Sequence, residues 1–262
     1  MGKRVLPFVK DITKIRILNR LGLFNHARDF YYRLKYPIKG MQNFFRQFIQ
    51  PGDLCFDVGA NIGQKTDIFL SCGAKVIVIE PQRGCIQYLR MKYRKNKNVI
   101  IVDKALDAQE GSQEFYICEA NAISTMSRAW IQKTQQTGRY SQFRWENPVK
   151  VETTTLNQLI SEYGIPQFCK IDVEGYELQV IRGLSQPIPY ISIEIAPESI
   201  QVVKECLTYL GKLGKIRLNF SSNSLNFLFP AWKTKEEMVN FLENSKNKLF
   251  GDTYILTNKN LE

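Results

Sequence analysis

From residue 52 onward the chain alternates short, almost wholly apolar runs with amphipathic stretches of helical length. Leu54 to Val58, Lys75 to Glu80, Val99 to Val102, Phe168 to Asp172 and Tyr190 to Ile195 read as buried strands. Residues 62–72, 81–95, 155–163, 177–184, 199–213 and 234–244 read as helices, and further strands are expected near 215–220 and 253–257. Val/Ile-rich strands without polar alternation need cover on both faces, so the expected fold is α/β, with a mostly parallel sheet between two helical layers. Gln113 to Ile117 and Val149 to Glu152, punctuated by Gly111 and Pro148, predict an added β-hairpin or sheet extension. The stretch 119–147, rich in Ser, Thr, Gln and Arg, reads as a flexible or lid segment.

The charge is unevenly placed. Of a formal +11, residues 1–50 hold eleven Lys/Arg against Asp11 and Asp29, a net +9, together with nine Phe and Tyr. This predicts two units: a basic, aromatic-rich helical cap over 1–50 and a catalytic domain over 51–262. Such a cap packs its aromatics on the core or lies against an anionic membrane surface. No nucleic-acid motif accompanies the charge, so nucleic acid is not an expected partner. Six scattered cysteines without a C-x-x-C argue for a reducing compartment. His26 is the only histidine, which removes Ser-His-Asp and Cys-His chemistry and His-rich metal sites. No apolar run approaches the ~18 residues of a membrane span. Met1-Gly2-Lys3-Arg4 leads into no apolar leader, and Leu6 stands where a myristoylation signal wants Ser or Thr, so a cytoplasmic location is expected, with peripheral membrane contact as its variant.

The first strand runs into Asp57-Val58-Gly59-Ala60-Asn61-Ile62-Gly63. Gly59 permits a tight turn and Gly63 removes a side chain where strand and helix approach. Neither the dinucleotide fingerprint nor a P-loop lysine is present, and Asp57 would repel a pyrophosphate. Glu80 closes the second strand 23 positions after Asp57, about one β-α-β crossover, where a carboxylate can accept both hydroxyls of a ribose. A nucleoside with a positive centre and no phosphates meets these conditions.

Asp57 to Gly63 with Glu80-Pro81 resembles the cofactor motif of class I S-adenosylmethionine-dependent methyltransferases. Lys170-Ile171-Asp172-Val173-Glu174-Gly175-Tyr176-Glu177, followed by Val180-Ile181-Arg182-Gly183, resembles the signature of the FkbM-type methyltransferases. Thr154 to Leu159 and Lys104-Ala105-Leu106 also fit, with Asn157 where the family more often has Asp. The resemblance covers about residues 50–200. It implies a Rossmann-like, seven-stranded sheet with the last strand antiparallel, and methyl transfer from S-adenosyl-L-methionine, typically to oxygen. By position, Asp57, Gly59, Asn61 and Gly63 would cradle the methionine part, Glu80 the ribose, and Asp103, Ala105 and Leu106 the adenine. Asp172 and Glu174 would face the methyl group and the acceptor.

Methyl transfer needs alignment and the removal of one proton. With no histidine in the core, Asp172 is the expected base, and an extended continuation of its strand would bring Glu174 to the same side. Glu194, near the end of the fifth strand, approaches the same crevice. Three carboxylates have an alternative use, holding a hard divalent ion, but no metal ligand is assigned. Glu174 and Glu177 have a structural alternative too, as caps of the helix that begins there. Arg128, Trp130, Tyr140 and Trp145 are candidates to line an acceptor cleft or to pack a lid. The expected acceptor is a small molecule or glycan: a sugar, glycolipid or secondary metabolite bearing a hydroxyl. The rival reading is a nucleoside-sensing or docking protein on the same fold without turnover.

Overall fold

A computed structural model describes residues 12–20, 23–35, 38–245 and 249–257. Three helices, α1 (Ile12–Arg20), α2 (Phe24–Lys35) and α3 (Ile38–Phe45), precede β1 (Leu54–Val58). Then follow α4 (Gln64–Ser71), β2 (Lys75–Ile79), α5 (Arg83–Tyr93), β3 (Val99–Val102), β4 (Ala105–Leu106), β5 (Gly111–Phe115) and α6 (Arg128–Gln136). The remainder is β6 (Val149–Thr154), α7 (Leu156–Tyr163), β7 (Phe168–Ile171), α8 (Glu177–Arg182), β8 (Tyr190–Ile195), α9 (Ile200–Leu213), β9 (Ile216–Ser221), α10 (Lys235–Asn244) and β10 (Gly251–Thr257).

The main sheet has seven strands in the order β3-β2-β1-β7-β8-β10-β9. Pairs among the first five are parallel, and β10 runs antiparallel to both β8 and β9. This is the expected Rossmann-like arrangement, with the last strand reversed. Val and Ile from the central strands meet Leu156, Val180, Val203, Leu207 and Met238 of α7 to α10 on one face. Phe44, Phe45, Ile68, Phe69 and Leu89 of α3 to α5 cover the other. Strand order reverses between β1 and β7, which opens a crevice beyond their carboxyl ends.

The structure refines two expectations. The added strands do not form a simple hairpin: β5 and β6 pair antiparallel across residues 116–148, and β4 joins β6 in parallel, giving a separate three-stranded sheet. The segment 119–147, expected as a flexible or lid segment, packs its aromatics onto the body. Its Trp130, Ile131, Tyr140 and Phe143 are buried in a third cluster that also takes in Ile15 of α1 and Phe24 of α2. Few but large aromatics outweigh a polar composition, because each buries far more area than a Ser or Gln exposes. Within the predicted cap, α1 to α3 are helical as expected, while residues 1–11 lie outside the described residues.

Candidate active site

The sheet face under α3 and α4 is apolar at its amino end and polar at its carboxyl end. Asp57, Lys170, Ser192, Tyr254 and Asn219 stand opposite one another in a row across β1, β7, β8, β10 and β9. Two residues further along their strands come Asp172 just past β7, Glu194 on β8, Asp252 on β10 and Ser221 on β9. Alternation puts both rows on one side. Lys170 is 2% exposed and its Nζ lies 2.8 Å from Asp252 and 3.2 Å from Asp172. Burial works against its charge, but Asp172, Asp252 and Glu194 outweigh it and hold the ammonium pKa well above the ordinary lysine value. Ser224 completes the group: its hydroxyl is in hydrogen-bond range of Lys65 at 2.9 Å, Tyr254 at 3.2 Å and Asp252 at 3.3 Å. One donor and two acceptor sites are thereby filled.

A cavity of about 610 Å³ lies over the carboxyl ends of β1, β2, β7 and β8. In one half, Glu80 is 3% exposed and accepts from the backbone N–H of Asn61 at 2.8 Å and of Gln82 at 2.9 Å. Burial nevertheless pushes its carboxyl up to about 7. Asn61 sits in a left-handed conformation (φ 54°), which aims that N–H at Glu80. Asp57 accepts from Thr66, and burial pushes it up to about 6 against that bond and the Lys170 charge. Arg28 of α2 enters this half fully buried, bonded to the side-chain oxygens of Asn61 and Asn121. Its helix is tied to the turn by Lys92, whose Nζ reaches Asp29 at 3.0 Å, Asp67 at 2.7 Å and the carbonyl of Ile62 at 3.0 Å.

In the other half, one carboxyl oxygen from each of Asp172, Glu174 and Glu194 falls within 4.8 Å of the others. The route differs from the expected extended strand: Glu174 is left-handed (φ 54°), and the chain turns to bring it back beside Asp172. Thr125 pins that turn by donating to the Glu174 carbonyl at 2.8 Å, and a Cβ on Gly175 would strike Trp130 at 2.5 Å. Burial and the neighbouring Asp172 raise both Glu174 and Glu194 well above the carboxylate range. Glu177 takes the capping role, accepting from Gly175 N–H at 3.0 Å. Arg139, paired with Glu198 at 2.8 Å, and Tyr140 complete the wall.

The cavity brings together Asp57, Gly59, Asn61, Glu80, Ala105, Leu106, Asp172 and Glu174. Two predicted residues fall elsewhere. Asp103, just past the end of β3, is on the surface and paired with Arg90 at 2.8 Å, whereas the residues that follow it, Lys104 to Leu106, line the cavity. Gly63 is a packing position, where a Cβ would lie 2.4 Å from the Tyr93 hydroxyl. Of the candidate cleft residues, Tyr140 lines the cavity, whereas Arg128, Trp130 and Trp145 do not. Sequence reasoning missed Arg28, Lys65, Arg139 and Asp252. It also passed over Lys170, whose signal was readable: a lysine inside an otherwise apolar strand, two residues before an acid.

A family model described as the methyltransferase FkbM domain matches residues 57–217. No curated protein matches the chain. Among solved structures, the chain is similar to an O-methyltransferase from Bacillus cereus in complex with SAH, at 11% identity over 97% of this chain and 94% of that one, with TM-score 0.44. It is also similar to a TehB-like SAM-dependent methyltransferase from Corynebacterium glutamicum, at 11% identity over 89% and 97% of the two chains, with TM-score 0.45. The family match carries the assignment; likenesses at these scores carry none.

Proposed function

The chain belongs to the FkbM methyltransferase family, and from that premise we propose that it methylates a hydroxyl oxygen of a sugar, glycolipid or secondary metabolite, with S-adenosyl-L-methionine as donor. The observation that carries this reading is one continuous cavity joining Glu80 to the Asp172, Glu174 and Glu194 carboxyl groups. Its donor set suits an adenosyl group. Glu80 keeps free lone pairs beside its two backbone N–H donors, Ala105 and Leu106 offer an apolar strip, and the buried Gln64 Nε2 has no protein partner. Asp57, held by Thr66, supplies negative charge close to where a sulfonium would be favoured.

When bound, the donor supplies a methyl group activated by positive sulfur and leaves as a neutral thioether. Asp172 accepts the hydroxyl proton as the acceptor oxygen becomes an ether. Lys170, shared between Asp172 and Asp252, fixes the direction of that carboxylate. Burial and the neighbouring Asp172 raise the Glu174 and Glu194 carboxyls, which favours the protonated forms that donate hydrogen bonds to acceptor oxygens, so the trio offers both donors and acceptors to a polyol. Tyr140 and Arg139 close the apolar side of the acceptor half.

The test is calorimetric titration of S-adenosylhomocysteine into the wild type and Glu80→Ala. One-to-one binding, weakened by about 1.5–3 kcal/mol in the variant, is expected. No binding by the folded wild type overturns the donor. Incubation with hydroxylated acceptors and mass spectrometry of the product then locates the methyl; an N-methyl product overturns oxygen.

A further inference from the structure

We propose that α1 and α2 form a docking face for an anionic lipid bilayer. The inner side of α2 is committed to the protein: Phe24, Arg28 and Asp29 are buried. Its outer side leaves large apolar groups in water, with Leu23 49%, Phe30 66% and Leu34 72% exposed. Leu23 lies just ahead of the helix, and spacings of seven and four residues place the three on one stripe. Ile17, 54% exposed on α1, extends the apolar surface of this pair of helices.

Charge selects the occupant. Arg16 and Arg33 are spent on Glu119, Asp29 and Asp67. Arg20 and Lys39 are exposed in the same segment, whose full sequence carries the net +9. A strongly cationic segment that also exposes an apolar stripe complements anionic headgroups over a hydrocarbon boundary, as a helix lying in the interface does. Among the described residues no helix is long and apolar enough to cross a bilayer. Lys92 holds α2 to the cofactor turn, so the folded domain is what docks, not a detached arm.

The test is flotation of the full chain with vesicles of phosphatidylglycerol and phosphatidylcholine, beside vesicles of phosphatidylcholine alone. Binding to the anionic vesicles is expected to be at least about tenfold tighter and to weaken as salt shortens the reach of the charges. Phe30→Glu with Leu34→Glu is expected to lose at least about tenfold of it, with the unfolding temperature unchanged because both sites are exposed. Ile165→Glu, at an apolar site 52% exposed between α7 and β7, is expected to bind like the wild type. No binding by the wild type overturns the proposal, as does a double variant that floats unchanged. Self-association of the wild type that the double variant abolishes assigns the stripe to a second copy and overturns it too. None of these readouts involves methyl transfer.

Discussion

The backbone carbonyl of Asp172 lies so close to Gly59 that a β-carbon there would come within 1.9 Å of its oxygen. Asp172 N–H also donates to the carbonyl of Val58 at 3.1 Å. The glycine turn after β1 and the acid after β7 are therefore one packed unit, and the spacing of cofactor and acceptor halves depends on it.

Gly59→Ala combines that collision with a left-handed backbone (φ 74°). A loss on the order of 2–4 kcal/mol in urea unfolding is expected, and a loss below about 1 kcal/mol would sink the contact.

Glu80→Gln should flatten the pH dependence of stability and weaken binding. The Glu80 carboxyl is raised from 4.5 to about 7, so its protonated form is favoured by folding. Its contribution is present below pH about 4.5 and is lost as pH rises to about 7. The ligand-free wild type should therefore lose more stability than the variant between about pH 5 and pH 8, while the variant binds S-adenosylhomocysteine more weakly. Parallel stability profiles would contradict the raised carboxyl.

Lys170→Met leaves Asp252 buried without its closest cation. Removing one partner of a buried pair costs about 3–5 kcal/mol. Adding Asp252→Asn should recover much of it, which a double-mutant cycle measures.

Asp172→Asn should lower turnover by roughly 10²–10⁴-fold, the usual worth of a positioned base, while S-adenosylhomocysteine affinity stays within about threefold. Comparable losses in both would make Asp172 a cofactor anchor instead.

Lys92→Met removes the tie between α2 and the cofactor turn, although Arg33 still reaches Asp29 and Asp67. Hydrogen exchange should show residues 24–35 losing up to about 3 kcal/mol of protection with β7 unaffected. Unchanged protection would mean that α2 is held by its apolar side alone.

Local pattern was enough for the sheet. The run Val76–Ile79 is apolar and buried at every position, and a strand buried on both faces is the natural use for it. Strand-end position also exposed Asp57, Glu80 and Asp172, because chemistry in such sheets gathers at carboxyl ends. At Asp103 a strand-end acid instead faces the surface, paired with Arg90, while the residues after it reach the cavity.

What the amino-acid order determined alone was therefore periodic: which segments are strands, where glycine relieves a turn, and which acids stand at strand ends. Tertiary structure decided the partners. Lys170 meets Asp252 across 82 positions of chain, and Arg28 meets Asn61 from a helix outside the sheet. Glu174 joins Asp172 through a left-handed turn set by Trp130 and Thr125, residues of a segment whose composition signalled a loop. Periodicity is a property of neighbours along the chain, whereas a charge's buried partner is whichever group the packed sheet brings within a few ångströms.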